Sequence, residues 1–304
     1  QAWTALKAQY EQEHRARQEF NATHYDNYAD FRNGTPDDWH IGGQGLQDQQ
    51  SRNGDFALAE SGDAIVLSVL PAGRYTHTLS SRLNGTLRSP VLPVGREHIS
   101  FQVLGQHSSA VRLVSNNCQL NYKNYHALTN PELHWFTFSP PPNRDSLRTY
   151  AELMTLVDNP KFPDQLGTLG GDTVNLRQPY EEAAKTHAQS FFGVTRVVLH
   201  DVGEPPRAEV DHLLPLFEGA APQSLAEFRV RYVEVATNAL QAWEQDRASE
   251  TDVRWIQGLL SRGLLSNRRG ASPRLDQLVD RYRETASRLT GPTVIAGVSE
   301  SGSG

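Results

Sequence analysis

From Phe56 to His200 the chain repeats one pattern, a short apolar or alternating run followed by a cluster of Gly, Pro, Asn or Asp. Runs this short do not make helices, and their close spacing leaves little room for crossover helices between strands. The runs are Phe56 to Leu58, Ala64 to Leu70, Tyr75 to Leu79, Leu87 to Leu92, His98 to Leu104, Val111 to Ser115, Leu133 to Phe138, Tyr150 to Val157 and Phe192 to His200. Within His98 to Leu104, Ile99, Phe101 and Val103 alternate with polar neighbours, the period of a strand buried on one face. Val194, Val197 and Leu199 predict a strand buried more fully. Asn84-Gly85 is the strongest hairpin signal, because both residues tolerate positive φ. About nine strands without intervening helical periods predict an antiparallel sandwich rather than a βαβ fold.

The flanks read differently. Residues 3–19 predict a polar helix with few apolar positions. Ser224 to Glu227 reads as a capping box, and Phe228, Tyr232, Val235, Ala239 and Trp243 follow at helical spacing. Trp255, Ile256, Leu259, Leu260 and Leu264 form a second stripe. A third stripe, Leu275 to Leu289, starts behind Ser272-Pro273 and stops at Gly291-Pro292. Each stripe needs a partner, so the three helices are expected to pack together and onto the sandwich. Residues 26–205 carry 14 basic against 19 acidic side chains, whereas 1–25 and 206–291 are balanced. The division that follows is a helical lead-in at 1–25, a β-sandwich at 26–205, a helical module at 206–291 and a flexible tail at 292–304. From Asp158 to Gln189 no clear strand appears apart from Thr173 to Leu176, and two readings stay open, a long functional or disordered loop or a short helix begun around Pro179 and ended by His187 and Gln189. The termini, Gln1 and the Ser/Gly-rich end, read as cut points in a longer protein.

The search for chemistry is mostly negative. There is no GxGxxG after a strand, no P-loop, no HExxH, no GxSxG and no EF-hand loop. The net charge of −6 gives no electrostatic footprint for nucleic acid, and no apolar run approaches the length of a membrane span. The single cysteine, Cys118, excludes an internal disulfide and reads as a small, nearly buried side chain. His24, His40, His77 and His126 fall in or near loops and read as solvated, so no metal site is expected. Glu132, Glu152, Asp158, Asp164 and Asp172 are candidates for a glycosidic carboxylate pair, with chance proximity the preferred reading.

A binding segment has more support. Asn116, Asn121, Tyr122, Lys123, Asn124, Tyr125 and His126 crowd one stretch. Aromatic faces pack on the C–H faces of sugars while amides and acids fix the hydroxyls, so this segment is a candidate glycan site. Trp39 and Trp135 are alternative platforms, although Trp135 sits within a strand pattern and reads as core.

Leu70 to Ser80, with Pro71-Ala72-Gly73-Arg74-Tyr75-Thr76-His77 at its centre, runs into Gly85-Thr86-Leu87-Arg88-Ser89-Pro90. Together with Gly54-Asp55-Phe56 and Ser190-Phe191-Phe192-Gly193-Val194, these segments resemble planctomycete multidomain proteins. Those proteins combine planctomycete-specific cytochrome-associated domains with an embedded concanavalin/laminin-G-like module, and the stretch from Tyr282 onward resembles the lead-in to a further such domain. The resemblance implies an antiparallel jelly-roll β-sandwich followed by a small α-helical module. It also implies an extracytoplasmic location, periplasmic or cell-surface, and a part in polysaccharide use. Arg74, Tyr75 and His77 match the pattern and are candidate ligand-binding residues, with a structural role in holding the turn the alternative and slightly preferred. Haem belongs to other modules of such proteins, and without Cys-x-x-Cys-His no haem role carries over, so no cofactor is expected; calcium has no support in the residues. The expected partners are a glycan and neighbouring domains of the parent polypeptide, with no nucleic acid and no membrane span. The functional expectation is a non-catalytic carbohydrate-binding module. A docking spacer is the alternative, and a glycoside hydrolase stands third.

Overall fold

The computed structural model describes residues 2–46, 50–118, 124–139, 147–159 and 189–289. Helix α1 (Ala2–His24) buries none of its residues fully and leads into β1 (Tyr25–Asp30). One five-stranded sheet has the order β1, β12 (Phe191–His200), β7 (His98–Gln106), β10 (His134–Phe138), with the two-residue β5 (Arg74–Tyr75) also paired to β12. A second has the order β2 (His40–Gly42), β6 (Thr86–Arg88), β11 (Thr149–Met154), β8 (Ala110–Ser115), β9 (Tyr125–Ala127). A separate ribbon pairs β3 (Asp55–Leu58) with β4 (Val66–Leu70). Every pairing between these strands is antiparallel.

The two large sheets face each other across one core. Ile99, Phe101 and Val103 of β7 and Val194, Val197 and Leu199 of β12 meet Leu87, Val111, Leu113, Ala151 and Leu153 of the opposing sheet. This is the sandwich expected from the alternation in His98 to Leu104. Several strands are shorter than their apolar runs. The run at Tyr75 to Leu79 contributes only its first residue to a strand, and Tyr150 to Val157 turns into a 3₁₀ helix at Leu156–Asp158.

The hairpin expectation at Asn84-Gly85 is wrong. These residues link β5 and β6, which lie in different sheets. The Asn84 carbonyl accepts from Gly45 N at 2.7 Å, and its side chain accepts from Gln44 N at 3.3 Å. Gly85 is required for space, since a Cβ there would lie 2.5 Å from Thr76 Cγ2 and 3.1 Å from Leu46 Cγ.

The three tail helices form where their stripes predict: α2 (Leu225–Glu244), α3 (Glu250–Ser261) and α4 (Pro273–Ser287). Ser224 caps α2 by accepting from Glu227 N at 3.1 Å, but the Glu227 carboxylate turns to Gln223 N at 2.7 Å. The reciprocal capping box belongs to α3, between Ser249 and Asp252. A second core joins α2 and α3 to Trp3 and Tyr10 of α1, to Phe217 and to Val69 of β4. Helix α4 adds no side chain to that core, contrary to the expected three-helix packing. The helix still buries Val279 and Ala286, and Arg283 donates to the carbonyls of Ala59 (2.9 Å), Gly62 (2.8 Å), Ala64 (2.8 Å) and Ser61 (3.3 Å) between β3 and β4. No described helix is long and apolar enough to cross a membrane.

Candidate functional site

Strand parity decides which side chains reach the outer face of the first sheet. Trp135 of β10 pairs with Gln102 of β7, and Gln102 pairs with Arg196 of β12, making one row across three strands. Ile99, Phe101 and Val103 point into the core, so Gln102 and its row point away from it. Arg196 reaches that row through a bulge. The register shifts between Val194 and Arg196, which re-aims Arg196 outward while Val194 and Val197 both stay in the core. Trp135 is therefore half-buried on the outer face and not a core residue.

Above this row lies a cleft of about 620 Å³, walled by the sheet on one side and by α3 and β4 on the other. Leu70, Leu104 and Leu133 give it an apolar lining beside the Trp135 ring. The Arg196 guanidinium sits 5.4 Å from the centre of that ring. Gln102 Oε1 accepts from Arg196 Nε at 3.0 Å and from Thr195 Oγ1 at 2.6 Å. Glu209 bridges Arg196 (3.0 Å) to Arg254 of α3 (2.9 Å). Arg254 also meets Asp211 at 2.5 Å and Glu250 at 2.7 Å, and Glu250 passes on to Arg32 at 3.0 Å. Burial works against ionisation of Glu209, but Arg196 and Arg254 outweigh it and hold the carboxyl below its usual range. The network thus ties sheet and helix together around an ionised Glu209.

The segment singled out at Asn116 to His126 is spread over several roles. Asn116 and Asn117 have φ of 51° and 55°, and the Asn116 side chain accepts from Arg148 N at 3.0 Å, so Asn116 builds a turn. The Asn124 carbonyl accepts from Leu113 N at 2.8 Å. Tyr125 accepts from Asn159 Nδ2 at 2.9 Å, and the His126 ring stacks on Phe136 with centroids 3.5 Å apart. Asn121, Tyr122 and Lys123 lie outside the described residues. Trp39 is core, edge-on to Phe31.

Arg74 donates to Thr35 Oγ1 at 2.5 Å, and the Tyr75 ring is buried among Leu70, Leu104 and Phe191. His77 is buried as well, against the expectation of a solvated loop histidine, because the chain after β5 turns inward and lays its ring on Phe191 at 4.2 Å. Cys118 departs in the other direction. It is exposed, because β8 ends at Ser115 and the Asn116-Asn117 turn carries it off the sheet.

Burial pushes the His77 pKa down to about 3, and its Nδ1 has no partner among the described residues. With the folded value below the ordinary 6.5, the neutral ring is the folded form. Stability is then complete above about pH 6.5 and falls as the pH drops toward 3, by about 1.4 kcal/mol per unit. Urea midpoints measured between pH 7 and 4.5 should reveal a loss of about 2–3 kcal/mol, and His77→Phe should flatten that slope. Part of the slope will persist, since burial lowers His200 and His212 too. An unchanged slope in the variant would remove His77 from the explanation.

The carboxylate candidates stand apart. Glu132 is exposed at the rim of the cleft, and Asp158 accepts from Asn84 Nδ2 at 3.3 Å. Glu152 is buried between Arg88 (2.6 Å) and Arg112 (2.5 Å), while Asp164 and Asp172 lie outside the described residues. A Ser–His contact does exist, Ser100 Oγ to His200 Nε2 at 2.7 Å, with His200 Nδ1 on the Val202 carbonyl at 2.7 Å. Both residues are fully buried, which leaves the hydroxyl no route to a substrate. Among the described residues no group of three or more His, Cys, Asp or Glu is placed to hold a metal ion.

Fold and cleft together define a β-sandwich with a groove on the outer face of one sheet. No protein-family model and no curated protein matches the sequence. Among solved structures the chain is similar to TmCBM61, solved in complex with β-1,4-galactotriose, at 11% identity over 58% of this chain and 99% of that one, with a TM-score of 0.30. It is also similar to the K1 adhesin domain of Lys-gingipain from Porphyromonas gingivalis W83, at 11% identity, 57% and 96% coverage, and a TM-score of 0.30. The K3 adhesin domain of the same protein gives 13% identity, 57% and 97% coverage, and 0.28. Likeness this loose defines no family and lends no weight to a ligand.

Proposed function

We propose that this chain is a non-catalytic carbohydrate-binding β-sandwich module of an exported multidomain protein, and that the cleft against α3 receives the glycan. The observation that carries the reading is the Trp135 ring, half-buried and set in a concave site beside an apolar lining and side-chain amides. Sugar rings need that combination, a flat aromatic surface for their C–H faces and polar groups for their hydroxyls. The state of Glu209 supports binding without hydrolysis. A glycosidic general acid needs a raised pKa, and the arginines hold this carboxyl down. The planctomycete-like context and the jelly-roll connectivity belong to the same proposal.

Affinity electrophoresis against a panel of soluble polysaccharides tests it. At least one should retard the protein, and Trp135→Ala should weaken that retardation by about tenfold or more while leaving the melting temperature close to wild type. Absence of retardation on every polysaccharide would overturn the reading and leave the spacer role.

A further inference from the structure

The acceptor oxygens around the cleft are largely occupied. Glu209 Oε1 and Oε2 accept from Arg196 and Arg254, and Glu250 Oε1 and Oε2 accept from Arg254 and Arg32. Gln102 Oε1 is held by Thr195 and Arg196, and Gln257 Oε1 by Val69 N at 2.9 Å. Anchoring each amide through its oxygen fixes which end is left over. Gln102 and Gln257 line the cleft, and their Nε2 groups have no hydrogen-bond acceptor among the described residues. Arg262, also in the lining, donates to the Gly258 carbonyl at 2.9 Å and has no other hydrogen-bond acceptor among the described residues. The Ser68 hydroxyl, on a residue only 9% exposed, has no partner at all among the described residues. Against these donors stands one uncommitted carboxylate, Glu132, exposed at the rim.

A surplus of donors in a partly desolvated site matches a ligand with surplus acceptors, because a buried N–H or O–H left without a partner is unfavourable. Neutral sugars bring hydroxyls that donate as often as they accept. Anionic substituents only accept, and a guanidinium binds them with two parallel hydrogen bonds. The net charge of −6 gives the protein no general attraction for polyanions, so selectivity for them has to come from local donors.

We propose that the cleft selects an acidic glycan, one whose sugar carries a carboxylate or sulfate that meets Arg262, Gln257 and Ser68 while its ring lies along Trp135. This rests on the cleft being the glycan site. The test compares the intact chain on polygalacturonate, on a sulfated galactan and on a neutral galactan, in parallel with Gln257→Glu and Arg262→Gln. Gln257→Glu keeps the oxygen that Val69 N needs and replaces the free donor by a negative charge. Arg262→Gln alters an exposed side chain and leaves the fold intact. The expected result is retention on one anionic polymer at least about tenfold stronger than on the neutral one, with each variant losing about tenfold on that polymer alone. Carboxylated and sulfated polymers distinguish the two anion sources. Equal or stronger retention on neutral galactan, abolished by Trp135→Ala, would overturn the acidic preference and keep the glycan site. Anionic retention unchanged in both variants would overturn the assignment of these donors, and no retention on any polymer would overturn both readings.

Discussion

Gly193→Ala should destabilise the protein by about 3 kcal/mol, at the upper end of what overpacking a core costs. An added Cβ would sit 2.1 Å from Tyr75 Cδ1 and 2.6 Å from Cε1. Neither side can yield. Gly193 pairs in register with Tyr75 on one side and Leu104 on the other, and the tyrosine ring is enclosed by Leu70, Leu104 and Phe191. At the usual dependence for a domain of this size, the melting temperature should fall by about 6–12 °C. A double-mutant cycle with Tyr75→Ala isolates the clash, since removing the ring should recover much of the loss. An alanine variant that melts like wild type would show that the Tyr75 ring is not fixed against this strand.

Glu152→Ala should be comparably damaging, for an electrostatic reason. The carboxylate receives Arg112 Nε at 2.8 Å and Arg88 Nη2 at 2.6 Å across three adjacent strands, and the Arg112 side chain is only 3% exposed. Removing one member of a buried ion pair typically destabilises by about 3–5 kcal/mol, whereas replacing both by apolar residues is often neutral. Chemical denaturation should therefore show Glu152→Ala losing about 3 kcal/mol and Arg112→Met with Glu152→Leu losing much less. If the double variant loses as much as the single one, the packing of this face matters more than its charges.

Periodicity made the sandwich legible, and parity could have revealed more of the site. Phe136 and Phe138 share one face of β10, so Trp135, the residue just before Phe136, had to face the other way; membership in the strand pattern had suggested core. Val194, Val197 and Leu199 step by three and then two, and that break is the trace of the bulge that turns Arg196 outward. The cleft itself was beyond a linear reading. Gln102 and Gln257 share one lining although they lie far apart in sequence, and only the docking of α3 on β4 brings them together. His77 and Cys118 failed for a related reason. His77 sits in the run Tyr75 to Leu79, which leaves the sheet after its first residue, and Cys118 lies beyond the end of β8, so the burial of both depends on how the chain leaves β5 and β8, which local composition does not encode.

The first strand of the sandwich pairs with its last, Tyr25 opposite His200 and Asp30 opposite Arg196. The polypeptide therefore arrives and departs through the same doorway. A body built this way can be spliced into a loop of a larger host, or detached from it, without pulling the host's flanking segments apart. Evolution could move such a unit between unrelated architectures while keeping its groove intact, provided the helix that forms one wall travels with it.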